Sequence, residues 1–368
     1  MRIGIDARLN YYRPGGIAEY TRHVIDELAV LDRTIAYHVI HHFRARQTLG
    51  AGDNVTRIDA LTPSHHRLER WTLTLELIRH RLDLLHSPDV IPPQGGARRQ
   101  VITVHDLHFL HYPQFMTAAS RRYYNDQIAW AVRHADHILV DSCATRDDLG
   151  NLLSVPEDKV TVHMLGVNQG FRPLPPEDIR PVRARLGLPE SYILFVGTFE
   201  PRKNIPGLLR AYRLLRQDLP DAPPLVLVGR RGWLYDDIFQ QVSALELTRY
   251  VIWIENAAQD DLPAIYSGAD VLALPSHYEG FGLTALEAMA CGVPPVVANR
   301  SSLPEVVGDA GLLVDPDDPA AIADGLRRAL VDDALRAELI RTGVARAATF
   351  TWRRTAEIVL QVYRLCLG

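Results

Sequence analysis

The chain has 368 residues, which is long for a single hydrophobic core and sufficient for two domains. Its apolar content of 47% is ordinary for a globular protein, and its net charge of -4 argues against a nucleic-acid binder, which would show a basic face. The three cysteines match no disulfide or metal spacing, and no run of about 18 apolar residues predicts a membrane span. The start of the chain is patterned as a strand rather than a signal peptide, so we expect a cytoplasmic protein.

Short apolar strands and longer helical patterns alternate along the first half of the chain, beginning with a strand at 3–6. Further predicted strands lie at 37–41, 55–58, 100–106 and 137–142, and predicted helices lie at 17–31, 67–82, 121–135 and 143–153. We expect His108 and His111 in a loop. Such alternation is typical of a parallel sheet covered by helices on both faces.

A proline-rich, charged stretch at 166–190 interrupts this alternation and is typical of an interdomain connection. The pattern then resumes, with predicted strands at 192–197, 224–229, 251–254, 271–275, 294–298 and 311–315, and predicted helices at 204–217, 235–247, 260–269 and 283–292. The sequence therefore predicts an α/β protein with two doubly wound Rossmann-like domains facing each other across a cleft. The predicted domains are residues 1–170 and residues 171–350, with a C-terminal helix at 351–368 packing back toward the first domain. Ligands of such sheets bind beyond the carboxyl ends of the strands.

Two glutamates eight positions apart flank a glycine-bearing turn in HYEGFGLTALEA, residues 277–288. Gly282 permits an unusual backbone conformation just before a helix that begins at Leu283, and the N-terminus of a helix favours an anion such as phosphate. Carboxylates repel phosphate but accept hydrogen bonds from hydroxyl groups. A sugar nucleotide fits, with Glu279 toward the hexose and Glu287 toward the ribose. The alternative is an acid that stabilises the helix dipole and a second, solvated glutamate.

The segment FVGTFEPRKN, residues 195–204, also leads from a strand into a helix. Gly197 and Thr198 form the turn, and Arg202 and Lys203 follow in the next loop. Adjacent cations at the carboxyl end of a strand suit a diphosphate. The chain contains only one other lysine, which favours a functional role for Lys203. A solvated basic turn is the alternative.

Two features of the first half are candidates for the ligand-facing side of that domain. Gly15 and Gly16 lie between the first strand and the first helix, in RPGGIAEY at 13–20, where backbone would approach a ligand closely. An ordinary turn is the alternative. His105 and Asp106 end a buried strand, so His105 would contact a transferring sugar or steer a proton, or else form a structural His–Asp pair.

Asp315 and Asp317 match the Asp-x-Asp pattern that holds a metal in some transferases. We expect no metal there, because Asp318 and Pro319 are typical of a helix N-cap and of the first helical residue.

Taken together, these motifs resemble those of the family-4 glycosyltransferases, whose two-Rossmann-domain architecture is called GT-B. The resemblance rests on EPRKN, YSGADVLALPS, GFGLTALEAMACGVP and SSLPEVVGDAGLLVDPDDP, and it extends over nearly the whole chain. The segments GGIAEYTRHVIDEL, VHDL and VGRRGWLYDDI are similar to those of bacterial mannosyltransferases that synthesise O-antigen or other surface polysaccharides.

The resemblance implies a retaining hexosyltransferase that needs no metal and no organic cofactor. Its donor would be a nucleotide sugar, GDP-mannose, and its acceptor a glycan or a lipid-linked glycan. The implied donor-binding residues are Gly15, Gly16, Gly197, Thr198, Arg202, Lys203, Phe281, Gly282, Leu283 and Glu287, and the implied catalytic residues are Glu279, His105, Lys203 and Arg202. Arg202 and Lys203 would stabilise the leaving diphosphate in place of a metal.

Other functions remain open at this point: a transferase that uses a UDP-sugar, a sugar-nucleotide epimerase or phosphorylase on the same scaffold, or a non-catalytic nucleotide-sugar-binding subunit. Peripheral membrane contact is also open. The predicted helix at 67–82 combines Trp71 with several arginines, which suits anionic headgroups, and a solvated basic face is the alternative.

Overall fold

The computed structural model describes residues 1–12, 15–66, 68–232, 236–255 and 257–368, with the backbone alone at 118–120 and 236–237. The chain divides into two compact units. The first unit comprises Met1–His111, Ala118–Gly166 and Thr351–Gly368, and the second comprises Tyr112–Thr117 and Val167–Phe350.

A parallel sheet of seven strands forms the centre of the first unit. The strands are β1 (Arg2–Asp6), β2 (Ala36–His42), β3 (Val55–Ala60), β4 (Leu82–Ser87), β5 (Ala97–Val104), β6 (His137–Val140) and β7 (Val160–Val162). The helices between them are α1 (Gly16–Leu31), α2 (Glu69–Leu77), α3 (His108–His111), α4 (Ala118–His134) and α5 (Cys143–Leu153). The strand order is β3-β2-β1-β4-β5-β6-β7.

The second unit contains a six-stranded parallel sheet. Its strands are β8 (Ile193–Val196), β9 (Leu225–Gly229), β10 (Val251–Glu255), β11 (Val271–Leu274), β12 (Pro295–Ala298) and β13 (Leu312–Val314), in the order β10-β9-β8-β11-β12-β13. Its helices are α6 (Pro176–Leu186), α7 (Ile205–Asp218), α8 (Asp236–Ala244), α9 (Leu262–Ser267), α10 (Leu283–Ala290), α11 (Leu303–Val307), α12 (Pro319–Val331) and α13 (Asp333–Ala347). The last helix, α14 (Trp352–Leu367), returns to the first unit.

Each sheet has one position where the chain reverses the direction in which it adds strands. In the first sheet this switch point lies between β1 and β4, where Ile5 pairs with His86. In the second it lies between β8 and β11, where Leu272 pairs with Leu194. Crevices at the carboxyl ends of such strand pairs are the usual ligand sites of open α/β sheets. The prediction of two doubly wound, Rossmann-like units is confirmed.

Helix α14 packs against α1 in the first unit. Thr351 caps it by accepting a hydrogen bond from the backbone N–H of Arg354. Its buried face repeats at helical spacing through Trp352, Ala356 and Tyr363. In the described ranges, no helix is both long and apolar enough to cross a bilayer.

Several elements differ from the sequence-based predictions. The predicted helix at 67–82 includes the start of β4, because α2 ends in a short 3-10 turn and Arg81 turns the chain in the left-handed conformation, with φ 50°. The predicted connection at 166–190 contains α6, which begins at a proline and ends at Gly187 with φ 66°. The strands β4 and β7 were not predicted, and neither were the helices α11 and α3, the latter containing both His108 and His111.

Candidate active site

Arg202 and Lys203 lie in a 3-10 turn between β8 and α7. Asn204 follows in the left-handed conformation, with φ 54°, and caps α7 by accepting a hydrogen bond from the Gly207 N–H. Its side-chain amide also donates to the backbone carbonyl of Pro275, which directly follows β11, at 3.1 Å. The turn is therefore tied to both strands of the switch point in the second sheet.

The carboxylate of Glu279 holds both cations of this turn. Its Oε1 accepts hydrogen bonds from Lys203 Nζ at 2.6 Å and Ser276 Oγ at 2.7 Å, and its Oε2 accepts one from Arg202 at 3.1 Å. These hydrogen bonds from described residues occupy three of the four acceptor positions of a carboxylate. Burial raises the pKa of Glu279, but the charges of Lys203 and Arg202 outweigh it and hold the pKa below its ordinary value. The carboxylate is ionised and can accept one further hydroxyl.

The carboxylates are the more buried members of this charged cluster. Glu200 completes it, 2.5 Å from Arg202 Nε. The side chains of Glu200 and Glu279 are 3% and 7% exposed, whereas those of Arg202 and Lys203 are 18% and 9% exposed. Arg202 is the most exposed member and Lys203 is nearly as buried as Glu279, so an anion from solvent would meet the Arg202 guanidinium first.

Gly282 precedes helix α10 with φ 106°, a conformation that favours glycine. A Cβ atom added there would lie 2.7 Å from Cδ2 of the buried Leu303. Because the Ala285 N–H donates to the Gly282 carbonyl in the first turn, the N–H groups of Leu283 and Thr284 precede the helical ladder. The turn therefore presents the positive end of a helix dipole at the carboxyl edge of the sheet.

Two serines hold the loop that carries Glu279 and Phe281. The backbone N–H of Glu279 donates to Ser301 Oγ at 2.9 Å. The Ser302 hydroxyl lies 2.9 Å from the Glu279 carbonyl and 2.7 Å from that of Phe281. Sequence reasoning assigned no role to these serines or to Ser276, although Ser301 and Ser302 open the family motif SSLPEVV.

Glu287 lies on α10 and is half-buried. Its Oε2 accepts a hydrogen bond from the hydroxyl of Tyr266, on α9, at 2.7 Å. Burial raises the pKa of Tyr266, and the neighbouring Glu287 raises it further, so the phenol remains a donor. Tyr266 thus fixes the orientation of the carboxylate that is predicted to bind the ribose.

Gly197 and Thr198 lie where β8 ends, beside the cationic turn. The Gly197 N–H donates to the carbonyl of Val228 at 2.9 Å. A Cβ atom on Gly229 would lie 1.8 Å from the Gly197 oxygen, so the two chains approach too closely for any side chain there. Cε of Lys203 is 3.6 Å from the place where a Gly197 Cβ would stand. The structure therefore brings the two predicted parts of this motif together.

Gly15 and Gly16 begin helix α1 in the first unit. Gly15 is the N-cap and Gly16 the first helical residue. A Cβ atom on Gly15 would contact nothing within 4 Å, so space is open beside this backbone. The preceding two residues of the motif, 13 and 14, lie outside the described ranges.

His105 follows β5, and both of its ring nitrogens are engaged. Nδ1 lies 2.7 Å from Oδ2 of Asp141, and Nε2 lies 2.9 Å from the carbonyl of Pro88. Burial lowers the pKa of His105, but the Asp141 charge and the two hydrogen bonds outweigh it and raise the pKa to about 9. Asp106 contacts His108 instead, at 2.6 Å. An imidazolium that donates from both nitrogens is poorly suited to accept a proton, so this geometry favours a fixed cation over a proton relay.

A buried charged cluster that was not predicted lies at the switch point of the first sheet. Arg8, at 1% exposure, donates to Asp6 Oδ2 and Glu69 Oε1, each at 2.6 Å, and to the carbonyl of Thr62. The Asp6 and Glu69 side chains are 12% and 6% exposed. Here the cation lies deepest and the carboxylates lie outside it. Asp6 stands out in the sequence because it ends the first strand. Glu69, the other carboxylate bonded to Arg8, is 63 residues further along the chain, so the cluster could not be predicted.

Asp315 and Asp317 contact a cation of the protein. NH2 of Arg300 lies 2.6 Å from Oδ2 of Asp317 and 3.3 Å from Oδ1 of Asp315. Asp318 caps α12, whose first residue is Pro319, as predicted. The N-cap prediction for this loop is confirmed.

Two parallel Rossmann-like units, one with an arginine–lysine–glutamate cluster at its switch point, define a glycosyltransferase of the GT-B class. The family model described as "Glycosyltransferase Family 4" matches residues 14–170, and the model "Glycosyl transferases group 1" matches residues 178–346. The O-antigen chain mannosyltransferase B of Escherichia coli is 35% identical over 84% of this chain and 80% of its own length. The chain therefore belongs to the family-4 glycosyltransferases, and the predicted enzyme class is confirmed.

Other relatives match over smaller shares of their length. The serotype-specific mannosyltransferase WbdA of Escherichia coli is 30% identical over 74% of this chain and 34% of its own length. The D-inositol 3-phosphate glycosyltransferase of Salinispora arenicola is 37% identical over 63% of this chain and 55% of its own length. The chain thus spans about a third of the first and about half of the second.

Solved structures show the same fold at low sequence identity. Sucrose-phosphate synthase from Thermosynechococcus elongatus superposes with a TM-score of 0.77 at 23% identity, covering 99% of this chain and 98% of that one. WaaG, a glycosyltransferase involved in lipopolysaccharide biosynthesis, gives a TM-score of 0.76 at 17% identity, covering 98% and 99%. At such identities the likeness concerns the fold alone.

Proposed function

We propose that this glycosyltransferase transfers mannose from GDP-mannose to a growing glycan or lipid-linked glycan, with retention of the anomeric configuration. The observation that carries the proposal is the cationic pair of Arg202 and Lys203, which Glu279 holds together at the switch point of the second sheet. The identity with an O-antigen chain mannosyltransferase supports mannose as the sugar and a glycan chain as the acceptor.

The donor diphosphate binds to the outward face of this cluster. Arg202 and Lys203 donate to its oxygens, and the N–H groups of Leu283 and Thr284 lie at a helix N-terminus that favours the same charge. Because Gly282 has no side chain, the diphosphate can approach these N–H groups closely. Gly197 and Thr198 border the cationic turn, and the family resemblance implies that Gly15 and Gly16 of the first unit also bind the donor.

Glu279 has two tasks in this proposal. It positions Lys203 and Arg202 through the hydrogen bonds already present, and its remaining acceptor position takes one hydroxyl of the hexose. Glu287, oriented by Tyr266, accepts from the ribose hydroxyls. The family resemblance implies a role for His105 toward the hexose, and its two hydrogen bonds suit a fixed cation.

The reaction needs no nucleophile from the protein. The bond between the anomeric carbon and the diphosphate oxygen breaks, and the acceptor oxygen bonds to the same face of that carbon. The acceptor's proton passes to the departing diphosphate oxygen. Negative charge that develops on the diphosphate is stabilised by Arg202 and Lys203, which take the place of a metal. Retained activity in the presence of a chelator tests this last point.

An inositol phosphate acceptor is the second candidate, because D-inositol 3-phosphate glycosyltransferases are also relatives. Calorimetric titration against GDP-, UDP-, ADP- and dTDP-sugars identifies the donor. A product assay then separates transfer to an acceptor from an isomerised donor or a sugar phosphate. We expect GDP-mannose to bind most tightly and mannose to be transferred. Donor binding without turnover on any acceptor would favour a non-catalytic subunit instead.

We also propose that the first unit rests on an anionic membrane surface through α2. Four apolar side chains follow one another at helical spacing and are exposed: Leu68 at 56%, Trp71 at 57%, Leu75 at 72% and Ile78 at 58%. Exposed Arg79 and Arg81 adjoin this stripe. Apolar side chains beside arginines suit the headgroup boundary of a bilayer that contains anionic lipid.

A further inference from the structure

Three titratable side chains lie side by side at the ends of neighbouring strands in the first unit. Val140, the last residue of β6, pairs with the last residues of both β5 and β7. The next residues along these three strands are His105, Asp141 and His163. Asp141 therefore lies between two histidines. Sequence reasoning identified His105 alone, because Asp141 is 36 positions further along the chain.

The Asp141 carboxylate is buried and has few partners. Its side chain is 3% exposed, and its Oδ2 lies 2.7 Å from Nδ1 of His105. No described residue forms a hydrogen bond with its Oδ1. A buried carboxylate is costly unless a cation lies beside it, because water no longer compensates its charge. The imidazole of His105 is the group in hydrogen-bond contact that can supply this cation.

His163 lies on the other side of Asp141 and does not neutralise it. Nδ1 of His163 lies 2.6 Å from the carbonyl oxygen of Val140, so this nitrogen carries the proton of the neutral ring. Nε2 is 3.6 Å from Asp141 Oδ1, beyond hydrogen-bond distance. Burial lowers the pKa of His163 and outweighs the opposite effect of Asp141. The charge of Asp141 is therefore left to His105.

The other titratable groups around His105 leave this pairing in place. The fully buried ring of Tyr20 lies edge to face against His105, with ring centroids 5.0 Å apart, and burial raises the pKa of its phenol. Burial lowers the pKa of His86 to about 3, so that ring is neutral. Asp89 raises the pKa of His105 as Asp141 does, but its effect is smaller.

We propose that Asp141 is a positioning residue for the transfer reaction, which holds the His105 ring in place and keeps it positively charged. This inference rests on the proposed function, in which His105 faces the hexose of the donor. Both ring nitrogens are bonded within the first unit, so the ring offers a ligand its charge rather than a free nitrogen. A fixed positive charge stabilises the negative charge that develops on a departing diphosphate. Turnover should therefore depend on the proton held between Asp141 and His105.

NMR of the histidine rings in the unaltered full chain tests the charge state without turnover. The rings are labelled with ¹⁵N, and the signals of His105 are those missing from His105→Gln. We expect both ring nitrogens to carry a proton at pH 7.5, and the ring to titrate with a pKa of about 9. An unprotonated ring nitrogen at pH 7.5, or titration near the ordinary value of 6.5, overturns the proposal.

The pH dependence of kcat/KM with GDP-mannose tests the role in the reaction. The wild type should stay active up to about pH 9 and lose activity above it, as His105 loses its proton. In Asp141→Asn the pKa of His105 should fall to 6.5 or below, because burial then acts without the carboxylate charge. About a tenth of the rings or fewer would stay charged at pH 7.5, so kcat/KM should fall roughly tenfold or more.

Two further variants separate positioning from a structural effect. Asp141→Glu keeps the negative charge, so its activity should persist to higher pH than that of Asp141→Asn. Asp147→Asn, exposed on α5, should match the wild type at every pH. A loss in Asp141→Asn that is the same at every pH overturns the proposal. If Asp141→Asn does not fold, the titration of His105 in the wild type decides.

Failure of this proposal is distinguishable from failure of the proposed function. The NMR titration uses no donor and no acceptor, whereas the proposed function depends on donor titration and product formation. Transfer of another sugar would contradict the donor assignment. A His105 ring that is neutral at pH 7.5 would contradict the positioning role alone.

Discussion

The switch points of the two sheets share one topology and opposite charge order. In the first unit Arg8 is buried beneath Asp6 and Glu69. In the second unit Glu200 is the most buried member and Arg202 the most exposed, with Glu279 and Lys203 nearly alike between them. Each cluster pairs its charges internally, so the number of charges does not distinguish the two. The most exposed member is a carboxylate, Asp6, in the first cluster and a cation, Arg202, in the second.

One architecture, used twice, thus exposes a carboxylate at one switch point and a cation at the other. Cations at the outer face suit the diphosphate of a donor, and carboxylates at the outer face suit the hydroxyls of a sugar. The buried partner in each case fixes the outer groups and limits the cost of bringing them out of water. Substitutions in each cluster test this difference between the two units.

Removal of the buried cation in the first unit should have the largest effect on stability. Arg8→Met leaves Asp6 and Glu69 without their partner, and we expect a loss of about 3–5 kcal/mol in the free energy of unfolding. Urea denaturation measures it. Arg99→Met is the control, because its ion pair with Asp136 is exposed and is worth about 1 kcal/mol or less. Equal losses in the two variants would contradict the view that Arg8 supports the carboxylates.

Removal of an outer cation in the second unit should act on transfer. Lys203→Met removes a cation that stabilises the leaving diphosphate. We expect kcat/KM to fall by about 10²–10³-fold, as for loss of a preorganised hydrogen-bond donor. Lys159→Met is the matched control. Lys159 is the other lysine of the chain, and it donates to the backbone carbonyls of Val132 and Arg133 in the first unit. Wild-type turnover by Lys203→Met would remove the basis for the donor site.

His105 should make the stability of the protein fall as the solution becomes alkaline. Its folded pKa of about 9 lies above the ordinary value of 6.5, so its contribution is complete below pH 6.5 and is lost as the pH rises through 9. The difference between wild type and His105→Gln should shrink by about 3 kcal/mol over that interval. Urea denaturation at pH 6, 7.5 and 9.5 measures it. A difference that is constant or grows with pH would show that the imidazole is not held as a cation by Asp141.

The turn before α10 should tolerate no side chain. Gly282→Ala combines an unfavourable φ with a contact to Leu303, and we expect a loss of roughly 2–4 kcal/mol in stability. Gly187→Ala has a similar positive φ but open space around its Cβ, so its loss should be about 1 kcal/mol. Thermal unfolding compares the two. Equal effects would mean that the close approach to Leu303 does not shape the turn.

The smallest expected effect concerns the membrane. Leu75→Glu places a charge in the middle of the exposed stripe on α2, and we expect flotation with anionic vesicles to weaken by about tenfold. Leu365→Glu, equally exposed on α14 but outside the stripe, should float like the wild type. High salt should weaken binding in all variants. If the wild type does not float with anionic vesicles at low salt, the proposed membrane contact through α2 is wrong.

Much of the second unit was predictable from the sequence. The motifs that contain Lys203 and Glu279 each follow an apolar run and precede a helix, so their place at the carboxyl edge follows from strand–helix alternation. Their direct hydrogen bond was not predictable, because the two residues are 76 positions apart and each was assigned to a different part of the donor.

The charged cluster of the first unit was harder to predict for a local reason. Arg81 takes the left-handed turn that glycine or asparagine usually signals, so the sequence gives no sign that α2 ends and β4 begins. Without β4, the switch point beside which the cluster lies is hidden. The helix α6 was missed because its flanking prolines and charges resemble a linker, although Gly187 is a regular helix end.

We expect the cations of the second unit, and not the carboxylates of the first, to bind the diphosphate of the donor. A crystal structure of the full chain with GDP tests it most directly. We predict diphosphate oxygens within hydrogen-bond distance of Arg202, Lys203 and the backbone N–H groups that begin α10. A diphosphate bound beside Asp6 and Glu69, or away from residues 202–203 and 281–283, would contradict this assignment.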